Sequence, residues 1–280
     1  MLTRILTSIV AFLLFLPFLI FSDTIAFPIG MALCAVISTY ELIRCVGLHK
    51  NQLVTIPLVL VAAAAPICLR LLGISTALSL AWIVVPVLMI FMLAITVFSH
   101  GKVDITQSST ALMLSIYVMV GFVAMVYVRD FHEGGKYFYL LCFIGAWVTD
   151  TFAYFSGRLF GKHKLIPDVS PKKTVEGAIG GILFCVGAFI GFAAIYNHFL
   201  LPEGGETIPL WLMGIIGFVT SIVSMVGDLS MSVIKRHYNV KDYGNILPGH
   251  GGFLDRFDSV IAVAVILAAA FGIATATGIM

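Results

Sequence analysis

The sequence predicts an all-α, polytopic integral membrane protein with about nine transmembrane helices. Hydrophobic residues make up 60% of the 280 residues and charged residues 11%, and the mean hydropathy is +1.09. Such a chain has too little polar surface to solvate a globule of this size, so most of it is expected to lie in lipid. The apolar runs are continuous and about twenty residues long, as helices crossing about 30 Å of hydrocarbon require. Membrane β-strands would instead alternate over about ten residues.

Nine apolar runs are long enough to cross the membrane. They cover residues 2–21, 25–46, 53–73, 77–98, 110–128, 137–155, 176–197, 208–231 and 258–279. The first run follows Arg4 and has a signal peptide as its alternative. The sequence Ser-Asp-Thr-Ile-Ala at 22–26 lacks a convincing cleavage site, which favours a span.

The distribution of positive charge predicts the orientation of the chain. With the N-terminus inside, thirteen of the sixteen Lys and Arg residues fall in inner loops, and Arg70, Arg129 and Lys136 fall outside. Positive loops resist translocation, so the largest polar insertions, 156–175 and 232–257, are expected to face the cytoplasm.

Polar chemistry is concentrated in the second half of the chain. Residues 1–136 are therefore predicted to form scaffold helices, and residues 137–280 to carry the functional site. In the first half, Glu41 and Arg44 lie three residues apart near the inner end of a span. We expect them to pair with each other or to reach the lipid headgroups.

The run 208–231 continues into a polar helical face. Its members are spaced three or four residues apart and therefore share one side of a helix. They are Ser221, Ser224, Asp228, Ser232 and Lys235. A carboxylate inside a membrane costs about 3 kcal/mol, so this face is expected to meet a partner, a metal or a water-filled cavity. A structural ion pair with a neighbouring helix is the alternative.

Two other spans carry carboxylates at the same predicted depth. Asp255 and Asp258 open the last run, and Asp150 lies near the inner end of the run 137–155. Like charges that meet without compensation would stay protonated, so a shared divalent cation is expected. Ligand sets made of oxygen alone favour magnesium over zinc.

The loop before the seventh run supplies positive charge. Ser170 is predicted to cap a helix that has Pro171 in its first turn. The free N–H groups of that turn, together with Lys172 and Lys173, would form an anion site. A simple capped entrance with cytoplasmic lysines is the alternative.

A glycine-rich segment, residues 244–252, lies between the cations Lys235, Arg236 and Lys241 and the carboxylate of Asp255. Glycines allow backbone donors to approach a phosphate closely. Because the segment has cations on one side and leads into an acidic pair, we predict that it binds phosphate.

The segment 232–258 resembles the signature of the phosphatidate cytidylyltransferase (CDP-diacylglycerol synthase) family, without a departure over its 27 residues. The matching positions are Ser232-x-Ile234-Lys235-Arg236, then Lys241-Asp242-x-Gly244, then Leu247-Pro248-x-His250-Gly251-Gly252-Phe253-x-Asp255-Arg256-Phe257-Asp258. The segments 150–154 and 170–177 also resemble polar segments of that family. The resemblance covers about the last half of the chain.

The resemblance implies a nucleotidyltransferase that makes CDP-diacylglycerol and pyrophosphate from CTP and phosphatidic acid. It implies a bacterial inner-membrane enzyme with its active site facing the cytoplasm. The expected partners are CTP, phosphatidic acid, membrane lipid and a second copy in a homodimer, and no nucleic acid. The expected cofactor is Mg²⁺, as one or two cations.

The residue roles implied by the resemblance fall into three groups. Asp228 and Asp255 are the first candidates for metal ligands, and Asp150 and Asp258 the next. The catalytic set adds Lys235 and Arg236, which with Arg256 would contact phosphates. The remaining substrate-binding candidates are Lys172, Lys173, Ser232, Lys241, His250, Gly251 and Gly252. His250 is expected to donate a hydrogen bond within its loop, because phosphatidate is already ionised and needs no general base.

Two other functions share parts of this pattern. A CTP-dependent polyprenol or lipid kinase would use a similar cationic site but transfer the γ-phosphoryl group. A transporter of anionic solutes would also bury charge. Transporters usually pair broken helices across two halves, whereas the polar residues here lie in one half.

Overall fold

The computed structural model describes residues 16–17, 20–131, 135–201, 205, 207–246 and 251–278. Within these residues, eight helices are long and apolar enough to cross a membrane, which confirms the all-α polytopic class. They are α1 (Ala26–Val46), α2 (Gln52–Leu72), α3 (Ile74–Phe98), α4 (Ile105–Asp130), α6 (Leu140–Phe160), α7 (Val175–Ile195), α8 (Leu210–His237) and α9 (Asp258–Ala276). The predicted span 2–21 lies mostly outside the described residues.

The shorter elements connect these spans. They are the helical turn α5 (Gly135–Phe138), the strands β1 (Lys164–Ile166) and β2 (Ser170–Thr174), a π-helical turn (Tyr196–Leu200) and a 3₁₀ turn (Leu254–Arg256). The two strands pair antiparallel as a hairpin between α6 and α7. Helix α6 continues five residues beyond its predicted run, into a segment expected to be a loop. Helix α8 ends at His237, six residues after its apolar run and two after Lys235, the last member of its predicted helical face.

The contacts within the chain form two compact units. One contains the residues up to Asp130 together with His237–Phe257, and the other contains Phe131–Arg236 and the residues from Asp258 onward. By contacts, residues 237–257 therefore belong with α1–α4. The division at residue 136 into scaffold and functional region stays a prediction about function.

The first unit packs α1 against α2 and α4, and α3 against α2 and α4. Large apolar side chains such as Phe27, Leu42 and Phe122 have no exposed surface, and they form its core. Arg70 and Asp130 tie the ends of α2 and α4 together through an ion pair of 2.5 Å.

The second unit is centred on the close packing of α6 against α7, with α9 also packed on α6. Glycine makes the close approach possible, because a Cβ at Gly181 would lie 2.9 Å from the carbonyl oxygen of Thr149. The site described below lies near the hairpin, where α6 ends and α7 begins.

The predicted start of α7 is wrong by four residues. Ser170 and Pro171 lie in β2, and the helix begins at Val175. The N-cap is Thr174, whose Oγ1 accepts the N–H of Gly177 at 3.1 Å. Pairing with β1 keeps residues 170–174 extended, so the helix starts only where that pairing ends. The two lysines accordingly project from a strand.

Candidate active site

The second unit contains a cavity of about 380 Å³. It lies between the last turns of α6, the hairpin, the first turn of α7 and the middle of α8. Its lining includes Asp150, Tyr154, Arg158, Ser170, Lys172, Lys173, Thr174 and Asp228. This volume falls within the range of about 300–1,000 Å³ that is typical of small-molecule sites.

Three of the predicted carboxylates come together in this unit. Asp150 and Asp228 line the cavity, and Asp258 interacts electrostatically with both of them. Asp258 is only 7% exposed. Ser259 donates a hydrogen bond from its Oγ to Oδ2 of Asp150 at 3.3 Å, which links α9 to α6. Helices α6, α8 and α9 therefore bring these three carboxylates together.

Lysines provide the opposite charge. Nζ of Lys173 lies 2.7 Å from Oδ2 of Asp228, and the two side chains are 23% and 28% exposed. The contact is an ion pair between an ammonium group and a carboxylate. Lys235 attracts Asp258, and Lys172 lines the cavity beside Lys173. Asp228 thus forms an ion pair, but with a lysine of strand β2 and not with a neighbouring helix, and the pair lies in a cavity large enough for a ligand.

The donor set suits a hard divalent cation that arrives with a phosphate. The carboxylates of Asp150, Asp228 and Asp258 lie together, and each interacts with Lys173 or Lys235. Among the described residues, no group of three or more His, Cys, Asp or Glu side chains forms a metal cage. Magnesium does not need one, because it usually takes one or two carboxylates and completes its shell with water and substrate phosphates.

The polar face predicted on α8 is the buried face of that helix. Ser221 and Ser224 are fully buried, Ser232 and Lys235 are half-buried, and Arg236 is exposed. The helix therefore presents its serines and Asp228 to the interior of the second unit, as the spacing predicted.

The predicted residues of the glycine-rich segment lie in the first unit. There, Oδ2 of Asp255 accepts the N–H groups of Tyr243 and Gly252, at 2.9 and 3.0 Å. Asp255 thus organises its own loop through this oxygen. Its predicted role as a metal ligand stays a prediction. The other predicted residues of this unit are Lys241 and Arg256, both exposed, and Gly251, which has a φ of 86°. His250 lies outside the described residues.

A sequence model described as "Cytidylyltransferase family" matches residues 2–274. The chain belongs to the cytidylyltransferase family. Similar proteins include the phosphatidate cytidylyltransferases of Staphylococcus haemolyticus and Staphylococcus saprophyticus, each 36% identical. The enzyme of Staphylococcus aureus is 34% identical. Each match covers 94% of this chain and 96% of the relative. The protein is accordingly a nucleotidyltransferase.

Two residues of this cytidylyltransferase that line the cavity were not predicted as site residues. Tyr154 and Arg158 lie one and two turns after Asp150 on α6, and both side chains reach the cavity. The spacing of four residues from Asp150 was the signal that could have identified them. They add a cation and an aromatic ring to the wall that carries the carboxylate.

The surroundings of Glu41 in the cytidylyltransferase differ from those predicted from the sequence. It is 1% exposed, and its carboxylate accepts the N–H groups of Phe253 and Leu254 at 3.0 and 2.8 Å. Its hydrogen bonds therefore go to backbone groups and it does not reach the headgroups, while Arg44, which is exposed, acts on it through charge alone. A carboxylate within an apolar run was the available signal. Its partners lie 212 and 213 residues away and have no local spacing to reveal them.

Proposed function

We infer that this cytidylyltransferase forms CDP-diacylglycerol and pyrophosphate from CTP and phosphatidic acid, a step in phospholipid biosynthesis. The observation that carries the inference is the cavity in the second unit, where Asp150 and Asp228 face Lys172 and Lys173. The names of the similar staphylococcal enzymes supply the lipid substrate.

The location of the cavity suits two substrates of different solubility. CTP is a soluble polyanion, whereas phosphatidate stays in the bilayer and presents a phosphate at its surface. The cavity lies at the ends of membrane-spanning helices and beside a hairpin bearing Lys172 and Lys173. The distribution of Lys and Arg along the sequence supports a cytoplasmic position for this end, in the inner membrane of a bacterium.

The reaction joins one phosphate to another. An oxygen of the phosphatidate phosphate attacks the α-phosphorus of CTP, a new P–O–P linkage forms, and the bond from the α-phosphorus to the oxygen bridging to the β-phosphorus breaks. Pyrophosphate leaves with that oxygen. The protein needs no general base, because the attacking oxygen is already ionised. Its contribution is to position both phosphates and to offset their charge.

The cationic side chains perform this positioning. Lys172, Lys173 and Arg158 line the cavity and would bind phosphate oxygens there. Lys235 and Arg236 of α8 and Arg256 of the first unit are proposed to contact phosphates as well. A phosphate that binds Lys173 competes with Asp228 for the same ammonium group. Substrate binding would therefore release the Asp228 carboxylate from its ion pair.

The proposed cofactor is Mg²⁺, held by Asp228 and by Asp150 or Asp258. When bound, it would neutralise the charge of the triphosphate and of the departing pyrophosphate. Asp258 and Asp150 repel Asp228 electrostatically, so a cation bound among them would also stabilise the cluster. A homodimer is a further proposal, which the mass of the purified protein in detergent would test.

The decisive assay uses CTP labelled at the α-phosphorus, with phosphatidate, in the presence and absence of Mg²⁺. Label in the lipid and its dependence on Mg²⁺ are expected. Label that remains wholly in CDP would instead identify a lipid kinase and refute the proposal.

A variant pair ties the activity to the cavity. Asp228→Asn should lower turnover by at least about a hundredfold, the scale for loss of one electrostatic contact to a transition state. Asp168→Asn changes an exposed carboxylate in the hairpin turn and should leave turnover unchanged. Full activity of Asp228→Asn would remove this residue from the mechanism.

A further inference from the structure

The first unit contains a carboxylate, Glu41, for which the proposed reaction has no direct use. We propose that Glu41 is a positioning residue for cytidylyl transfer, because it fixes the segment 251–257 that carries Asp255 and Arg256. The proposal rests on the proposed function and assigns a role in it to the N-terminal helices.

The hydrogen bonds of Glu41 meet the start of a turn. Oε1 accepts the N–H of Phe253 and Oε2 accepts the N–H of Leu254. These two groups open the 3₁₀ turn Leu254–Arg256, whose first N–H groups have no partner within the turn itself. Glu41 therefore caps this turn from a different helix. Hydrogen bonds to an ionised acceptor are the stronger kind. Here the bond from Leu254 is buried and the bond from Phe253 is partly buried.

Two glycines close around the same side chain. At Gly244, the three atoms nearest to an added Cβ all belong to the side chain of Glu41. At Gly252, an added Cβ would lie 2.7 Å from Oε2 of Glu41 and 2.5 Å from the backbone nitrogen of Gly244. The backbone thus approaches the carboxylate from both sides of the loop. Glycine is needed at both positions because Glu41 occupies the space between them.

Asp255 depends on the same arrangement. Its Oδ2 accepts the N–H groups of Tyr243 and Gly252. Tyr243 precedes Gly244, which packs on Glu41, and Gly252 precedes Phe253, which donates a hydrogen bond to Glu41. If the carboxylate of Glu41 is lost, one buried and one partly buried N–H group lose their acceptor and the turn is free to shift. Asp255 and Arg256 would then move with it, although neither side chain has been changed.

Kinetics separate positioning from simple stabilisation. Glu41→Gln keeps the size of the side chain but replaces one acceptor by a donor that faces an N–H group. In the full-length protein in detergent micelles with phosphatidate, we expect the KM for CTP and the Mg²⁺ concentration for half-maximal activity to rise about tenfold, the scale of one lost buried hydrogen bond. Glu41→Asp keeps the charge on a shorter side chain and should show a smaller rise. Ser38→Ala, one turn earlier on the same buried face, should match the wild type.

A purely structural role for Glu41 predicts a different result. A purely structural Glu41 would lower the amount of folded enzyme and leave the KM and the Mg²⁺ requirement at wild-type values, which would overturn the proposal. If Glu41→Gln does not fold, the same two parameters are measured in Glu41→Asp. A wild-type enzyme that transfers no label to lipid would instead refute the proposed function.

Thermal unfolding tests the contact without relying on activity. Gly244→Ala alone should lower the unfolding midpoint, because its methyl group meets the Glu41 carboxyl group. In a Glu41→Ala background that space is vacant, so adding Gly244→Ala should lower the midpoint little further. If the two substitutions lower the midpoint additively, Gly244 and Glu41 do not pack together. That result would overturn the proposal.

Discussion

Replacing Lys173 by methionine would remove the cation that pairs with Asp228 while keeping a long apolar stem in the cavity. Three interacting carboxylates, on α6, α8 and α9, would then retain Lys235 as the lysine that offsets them. We expect Lys173→Met to unfold at a lower temperature than the wild type in buffer without divalent cations. We also expect Mg²⁺ to restore part of the loss.

The size of the effect follows from the geometry. At an effective dielectric constant of about 20, unit charges separated by 2.7 Å attract each other by about 6 kcal/mol. Desolvation offsets much of this attraction, and exposures of 23% and 28% add screening by solvent. A net loss of about 1–3 kcal/mol in the free energy of unfolding remains, the usual coupling of contacting charges. Mg²⁺ at about ten times its dissociation constant would return about 1.4 kcal/mol.

The assay is thermal unfolding in detergent with and without Mg²⁺. Lys172→Met, which changes an exposed lysine on the same strand, is the matched control. Mg²⁺ should also stabilise Lys173→Met more than the wild type, because Lys173 no longer competes for the Asp228 carboxylate. Asp228→Asn should abolish the response to Mg²⁺. If Mg²⁺ stabilised Lys173→Met no more than Asp228→Asn, a cation site at Asp228 would be refuted.

Two further predictions concern the packing and capping of α7, measured as the free energy of unfolding. Gly181→Ala should cost about 1–3 kcal/mol, because its methyl group would press on α6. Gly187→Ala, with open space around its Cβ, should be neutral or slightly stabilising, and equal losses would contradict the close packing. Thr174→Ala should cost about 1 kcal/mol as the loss of an N-cap. Ser170→Ala should change the free energy of unfolding by no more than about 0.5 kcal/mol. A larger loss in Ser170→Ala than in Thr174→Ala would identify Ser170 as the N-cap.

The membrane spans could be predicted because hydrocarbon thickness sets their length independently of any partner. The run 25–46 and helix α1 (Ala26–Val46) agree within one residue at the start. The run 208–231 and helix α8 differ by six residues at the end, since α8 continues to His237. Hydropathy shows where apolar residues stop, whereas a helix stops where its hydrogen bonds stop. The last turns of α8 are polar and lie beyond the apolar run, but their backbone still continues the helix.

The grouping of Asp150, Asp228 and Asp258 could be predicted from helical spacing and a common depth. The partner of Asp228 could not, because Lys173 lies on a hairpin whose pairing depends on which residues of a short polar segment meet. The surroundings of Glu41 were also beyond prediction. Its local spacing favoured Arg44, whereas its actual hydrogen-bond donors are backbone groups far along the chain.

Glu41 and Asp228 show two ways in which a carboxylate in an apolar helix is compensated. Glu41 accepts two backbone N–H groups of the same loop and is 1% exposed, so it cannot change partners without breaking that loop. Asp228 pairs with one lysine in a cavity, and about a quarter of its side chain is accessible. A phosphate can compete for the lysine and a cation for the carboxylate, so this pair can open without unfolding. The first arrangement is suited to holding a segment in place and the second to binding a charged ligand.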